Sequence, residues 1–288
     1  MLTGAMTAAA EMIHVTQPAV SRLVRDLEQE LGISLFRRRG NLVTPTAEAR
    51  ALLAEVQRSF IGLGQIRAFA NDLRTGRSGS LKIAALPSMA SGFAPRFVAE
   101  FCRSRPGLKV SVDGLPSSVI RDRVGAGQFD IGIVAFPFQS GALAVTPLDD
   151  KAVVAVPAGH RLAGLHVVRA EDLEGEDLIL LSRLGVGQHP IGAALQSVVY
   201  REVMETPLST IACALVSEGV GAAIVDPFSA SEFVGRNVVL RPFEPSFNIG
   251  VAVVHGSDRM LSVIAQEFLI AFLDHARGFL GRADYLRQ

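Results

Sequence analysis

TQPAVSRLVRDLEQE, residues Thr16–Glu30, is the stretch that decides how this chain begins. Val20, Leu23, Val24, Leu27 and Leu31 recur at helical spacing, which gathers them into one apolar stripe. Ser21, Arg22 and Arg25 fall on the opposite side. Thr16 stands as an N-cap, and Pro18 lies in the first turn, where its missing N–H costs nothing, so the helix starts sharply with Gln17 at its tip. Short polar side chains near a helix N-terminus reach base edges, and arginines further along meet phosphates. Taken alone, the period also describes an ordinary amphipathic surface helix, so the flanking residues have to decide.

Before it, MTAAAEMI at positions 6–13 predicts a short Ala-rich helix, and His14 and Val15 leave room only for a tight turn. Two helices joined in that way make a helix-turn-helix. After it, Gly32 ends the helix, residues 33–36 predict a short strand, Arg37, Arg38, Arg39, Gly40 and Asn41 a turn, and residues 42–44 a return strand. A basic hairpin beside a reading helix is a wing whose arginines lie over phosphates or a minor groove, supplying affinity rather than sequence choice. The plain alternative for these arginines is a solvated charge run.

HVTQPAVSRLVRDLEQELGISLFRRRGNLVTPTAEA resembles the DNA-binding segment of the LysR-type transcriptional regulators, with Gln-Pro-Ala, Ser-Arg, Asp-Leu-Glu, Leu-Gly and Leu-Phe-Arg in that family's order. The resemblance implies a sequence-specific regulator of double-stranded DNA that answers to a small-molecule effector and contacts RNA polymerase. Its DNA-binding residues would be Thr16, Gln17, Pro18, Ser21, Arg22, Arg25, Arg37, Arg38 and Arg39. In one respect the chain departs from the family: only three residues precede Gly4, where members carry a further helix. The expectation that follows is a loosened head, with Met1 an internal methionine of a longer product. On that ground a small-molecule binding module without competent DNA binding is the rival reading.

Composition bounds the remainder. Lys plus Arg and Asp plus Glu are 28 each over 288 residues, so no overall field draws the chain to nucleic acid, and the basic residues cluster locally around positions 22–39. No long apolar run suggests a membrane span and no leader suggests export, which makes the cytoplasm the expected location. Cys102 and Cys213 sit among apolar neighbours and read as buried structural thiols. The six histidines show no zinc-ligand spacing, and His160 and His166 have no further ligands nearby, so no metal or other cofactor is assigned.

From Thr46 to about Leu73, Leu52, Val56, Phe60, Leu63, Ile66, Ala70 and Leu73 follow one another at close to the coiled-coil period. Such a seam pairs with a partner helix or packs on the protein's own second domain. Pairing suits a helix-turn-helix that reads two half-sites, and the resemblance implies a homodimer or a homotetramer built as a dimer of dimers. TGRSGS, at positions 75–80, is a hinge.

Beyond the hinge, strand-like runs at 81–86, 110–114 and 130–134 alternate with helical segments, and a second set of strands follows at 153–156, 178–181, 222–225 and 250–254. The fold class is therefore α/β, with an N-terminal all-α winged helix-turn-helix. The expected domains are a head at 1–45, a linker helix at 46–75 and a two-lobed, periplasmic-binding-protein-like effector region at 76–288, to whose first lobe a last helix at 261–275 returns. Ligands of such sheets bind beyond the carboxyl ends of the strands. That rule singles out Ser88 and Met89, Ser117 and Ser118, and Phe136 in the first lobe, with Ser182 and Asp226 opposite. Each has a plainer rival: a cap for Ser88 and Asp226, a turn for Ser117 and Ser118, core for Phe136.

GLPSS, VVAVPAGHRLAGL, AIVDPF and VVLRPF are similar to the opine-responsive members of the family, the regulators of octopine and nopaline catabolism. An opine presents carboxylates for serine hydroxyls and backbone N–H groups, and a guanidinium for Asp226. No catalytic residue is assigned, because the chain carries no Gly-x-Ser-x-Gly elbow, phosphate loop or metal-ligand cluster.

Overall fold

The computed structural model describes residues 5–39, 42–53, 55–56, 79–182 and 190–281, and the chain divides into two compact units, Met1–Ala68 and Phe69–Gln288. In the first unit, α1 (Met6–Met12) is joined to α2 (Gln17–Leu31) through a turn containing His14 at φ 55°. Thr16 occupies the N-cap position in extended conformation, but its side chain makes no capping bond; Gly32, at φ 69°, ends α2 in the left-handed conformation that only glycine adopts without strain.

The hairpin β1 (Phe36–Arg39) and β2 (Leu42–Pro45) is antiparallel, with Arg37 opposite Thr44 and Arg38 opposite Val43. The three arginines thus belong to the strand itself, not to the expected turn, because the ladder continues as far as the Arg39–Leu42 pair. The chain is helical again at residues 47–53 and 55–56 (α3), and the rest of the expected coiled-coil seam, with all of the hinge but Gly79 and Ser80, lies outside the described residues.

Only part of the apolar stripe of α2 finds a core. Val20 is buried and Val24 half-buried, whereas Leu23, Leu27 and Leu31 are 63%, 42% and 42% exposed. The reason is size: the buried apolar residues described in this unit are Ala10, Val20, Leu35 and Ala49, of which only Leu35 is large. Hydrogen bonds add to that small core. Glu28 Oε1 accepts from the N–H groups of Leu35 (2.6 Å) and Phe36 (3.0 Å), tying α2 to the wing. Thr46 Oγ1 donates to Ser34 and Leu35 carbonyls at 2.9 and 3.1 Å and accepts from Ala49 N–H, so one hydroxyl closes the hairpin and caps α3.

In the second unit, the first lobe holds a five-stranded sheet of β3 (Ser80–Ala85), β4 (Lys109–Gly114), β5 (Ile131–Ala135), β6 (Leu143–Pro147) and β13 (Val251–Gly256), in the order β4-β3-β5-β13-β6. β3 runs parallel to β4 and β5, whereas β13 is antiparallel to β5 and β6. Between these strands come the short α4 (Pro87–Ala90), α5 (Phe93–Arg103) and α6 (Ser117–Gly125). The second lobe pairs β7 (Val153–Pro157), β8 (Val168–Arg169), β11 (Ala223–Val225) and β12 (Val238–Glu244) in the order β11-β7-β12-β8. A parallel pair, β9 (Asp177–Leu181) and β10 (Arg201–Thr206), extends it through the Leu178–Ala222 bridge. α7 (Pro190–Leu195), α8 (Ser209–Ser217) and α9 (Pro227–Ser231) belong to this half of the chain.

The last helix, α10 (Val263–Gly281), returns to the first lobe as expected, burying Ala265, Phe268, Phe272 and Ala276 in that lobe's core. β6, β8, β10 and β12 are strands that the pattern of residues did not reveal. Among the described residues, the crossovers and α9 join the lobes. The crossovers run side by side, with Leu148 N–H bonded to Val251 O, Ile249 N–H to Asp150 O and Ala152 N–H to Phe247 O at 2.9, 3.0 and 2.7 Å. In addition, α9, which follows a second-lobe strand, drives Phe228 into the core of the first lobe, 4.7 Å from Phe93 and stacked on Phe279.

Candidate functional site

The head presents its polar face as the spacing requires. Thr16, Gln17, Pro18, Arg22, Arg25 and Arg37 are exposed and Ser21 is half-buried. Gln17 Nε2 donates to Ser21 Oγ at 2.9 Å, so one turn of helix holds the amide at its tip. Arg22 lies 3.7 Å from Asp26 in an exposed pair. Arg38 and Arg39 take part in the β1 ladder, and their side chains lie outside what is described.

In the effector unit the candidate residues fall at strand ends, with unequal roles. Ser117 stands at the start of α6, half-buried, and its Oγ accepts from Ala135 N–H at 2.9 Å, fastening α6 to the end of β5. A serine that accepts there still has its own proton to donate. Phe136, the next residue after β5, is half-buried and edge-to-face with Phe138 at 6.0 Å; its N–H donates to Gly250 O at 2.7 Å. Ser117 and Phe136 are therefore brought together, and Ser118 is exposed beside them.

Ser88 is 3% exposed, in the first turn of α4, which packs against α9 of the other lobe. Met89 is wholly buried and packs within the first lobe's core. Across the seam, Ser182 is exposed at the end of β9. Asp226 is 1% exposed and caps α9, its carboxylate accepting from Ser229 N–H at 2.8 Å and Ser229 Oγ at 2.9 Å. The capping rival thus accounts for two of its bonds.

Three polar groups near these elements carry no signal in the sequence pattern. Asp150, between the lobes, is completely buried; Oδ1 accepts from Gly250 N–H at 3.2 Å and Oδ2 has no partner. Burial pushes its carboxyl up to about 7, the N–H groups of Val251 and Gly250 pull the other way, and the Asp226 carboxylate adds to the rise. Ser209, the first residue of α8, is 1% exposed with an unpartnered Oγ, and Thr206 at the end of β10 accepts from Leu208 N–H. Cys213 is buried as expected, and burial together with Asp226 drives its thiol far above the ordinary range, which leaves it un-ionised; Cys102 is only half-buried.

Comparison with known proteins matches residues 74–277 to the LysR substrate binding domain and residues 1–50 to the bacterial regulatory helix-turn-helix of the lysR family. The chain belongs to the LysR family. It is a LysR-type transcriptional regulator with a DNA-binding helix-turn-helix and an effector-binding domain, and with a helix-turn-helix matched at 1–50 the rival reading, a small-molecule binding module whose truncated head lacks competent DNA binding, is not favoured. The octopine catabolism/uptake operon regulatory protein OccR of Rhizobium meliloti is 41% identical over 94% of this chain and 91% of its own length. The regulatory protein NocR of Agrobacterium tumefaciens (strain T37) is 39% identical over 95% and 92%. Full-length CbnR complexed with its target DNA superposes at a TM-score of 0.63 with 20% identity, over 95% of this chain and 94% of that one, a likeness of fold. Among the described residues of this LysR regulator, no helix is long and apolar enough to cross a membrane.

Proposed function

We propose that this LysR regulator senses an opine or a closely related amino-acid derivative in its interlobe cleft and transmits that binding to paired DNA-reading heads. The observation that carries the reading is the identity of 41% and 39% to OccR and NocR over more than nine-tenths of the chain. The geometry supports it through hydroxyl groups at strand ends: Ser88 and Ser117 at the starts of α4 and α6, Ser118 beside them, and Ser182 from the facing lobe are the donors for ligand carboxylates. Phe136 supplies apolar wall, and Asp226, at the start of α9, the negative field for a cationic end.

In the same reading, residues 1–45 form the head, 46–75 the dimerising linker and 76–288 the effector region of a cytoplasmic homodimer or homotetramer. Gln17 and Ser21 read bases; Arg22, Arg25, Arg37, Arg38 and Arg39 hold phosphates; Thr16 and Pro18 set the helix tip. The protein acts by binding, not catalysis. An effector shifts the arrangement of the heads only if it binds one arrangement better than the other, and the readout is DNA bending and contact with RNA polymerase.

Calorimetry of the full chain with octopine, nopaline and arginine tests the ligand, with saturable binding of one opine expected and no heat from any of the three overturning the assignment. Footprints on the target promoter test the switch. Identical footprints and transcription with and without a saturating opine would rule it out.

A further inference from the structure

Asp150 is the buried polar group that the functional reading leaves unused, and its surroundings form a continuous chain of contacts into the cleft. It sits midway between β6 and β7, where its carbonyl oxygen and Oδ1 both hold the returning crossover, at Ile249 N–H and Gly250 N–H. Gly250 adopts φ 92°, a conformation that suits glycine, and a Cβ there would collide with the carbonyl oxygen of Phe136. Its own carbonyl accepts from Phe136 N–H, and the preceding Ala135 N–H is the group that Ser117 holds. Asp150, Gly250, Phe136 and Ser117 are thus linked by close backbone and side-chain contacts from the crossovers to the cleft.

We propose that Asp150 is a positioning residue of the effector cleft, holding the end of β5 in place through Gly250 and gaining or losing a proton as the lobes rearrange around an effector. The cleft's sensing role is the reading given above, on which this inference rests. The charge that faces Asp150 is Asp226, at the start of α9. Gly250 and Val251 on the second crossover and Phe136 after β5 carry none, Lys151 beside it is exposed, and the Cys213 thiol of α8 is un-ionised. With one oxygen unpartnered and a carboxylate as neighbour, the folded protein holds the Asp150 proton well above the ordinary carboxylate range.

The sign follows from linkage. The carboxyl is raised from 3.8 to about 7, so its contribution to stability is fully present below pH 4 and is lost as pH rises to about 7. Between those limits the folding equilibrium of the unmodified chain falls by up to about tenfold per pH unit from this group alone. Asp150→Asn keeps an acceptor for Gly250 and removes the titration.

Thermal melts of both full chains from pH 4 to pH 8 are expected to show a stability difference that shifts steadily in favour of Asp150→Asn up to about pH 7 and is level above it. A difference that is level throughout overturns the proton link. Should Asp150→Asn fail to fold, Asp226→Asn, which retains a capping acceptor, is expected to move the break in the unmodified chain's profile below its original pH, and an unmoved break overturns the link.

Calorimetry with octopine at pH 7, in two buffers of different ionisation enthalpy, then reads the coupling to the cleft. The unmodified chain is expected to exchange protons that Asp150→Asn does not; equal proton counts overturn the positioning role. Octopine heat absent from both chains removes octopine as the effector, and the melts then decide on Asp150 alone.

Discussion

The head and the effector unit hold together by different means. The second unit buries Phe228, Phe268 and Phe272 completely and packs Phe93 and Phe97 among them, whereas the described part of the head buries nothing apolar larger than Leu35 and leaves three leucines of α2 exposed. Burial of a large side chain contributes about 1.5–3 kcal/mol, so the sensor draws most of its stability from packing, while hydrogen-bonded staples count for more in the head. A unit built on packing keeps the core of each lobe tightly filled. One built on a few polar staples presents its reading helix on a small scaffold.

The largest break in this comparison is expected at Phe228. Phe228→Ala removes a large side chain that crosses from the second-lobe sequence into the first lobe's aromatic cluster, and truncations of that kind cost about 3–5 kcal/mol. The melting transition of the effector unit should fall by several degrees, with DNA binding by the head retained below it. A loss under about 1 kcal/mol would mean that α9 is not the clasp its contacts suggest.

Next come the bases. Gln17→Ala and Ser21→Ala remove the hydrogen-bonded pair in the first turns of α2 and should narrow the gap between cognate and mismatched operators by about 1–3 kcal/mol. Arg37→Ala should instead weaken all sequences alike and lower the slope of affinity against salt by about one ion. Binding titrations over a salt series on two operators separate the two patterns. Equal loss on both operators for Gln17→Ala would make that residue structural.

Thr46→Val sharpens the contrast from the head's side. It removes two donations and the cap on α3 while keeping the side chain's shape, for an expected cost of about 1–2 kcal/mol in the stability of the head. The effector unit's transition should not move.

What was legible in the sequence follows the same division. The helix-turn-helix, the Gly32 stop and the parallel strands of the first lobe are written in local period and turn residues, which act over a few positions. The extra strands β6, β8, β10 and β12 were not, since they gain their place from partners far along the chain: β12 pairs with β7 and β8, and β6 with β13. The stripe of α2 was legible as a stripe but not as a core, because spacing gives a face and not what covers it. For the candidate site, position at a strand end was readable for Ser117 and Phe136 and a cap was readable for Asp226, while the burial of Ser88 and Met89 depends on packing between segments far apart in the chain. Asp150 had no local pattern at all; its importance comes from the second crossover lying beside it.

The smallest expected effect lies on the surface of α2. Arg22 and Asp26 form an exposed pair one turn apart, with the base preceding the acid, the less favourable order along the helix dipole. Asp26→Ala should therefore change the stability of the head by no more than about 0.3–0.5 kcal/mol. Its effect on DNA should be opposite in sign. Removing the acid frees Arg22 for a phosphate and takes a negative charge away from the backbone it faces, so affinity should rise modestly at low salt and converge with the unmodified protein at high salt. Fluorescence anisotropy across a salt series, beside a melt of the same variant, measures both. A melt that moves by more than about 1 kcal/mol would show that surface pairs, and not only Glu28 and Thr46, hold the head together, and would erase the division drawn between the two units.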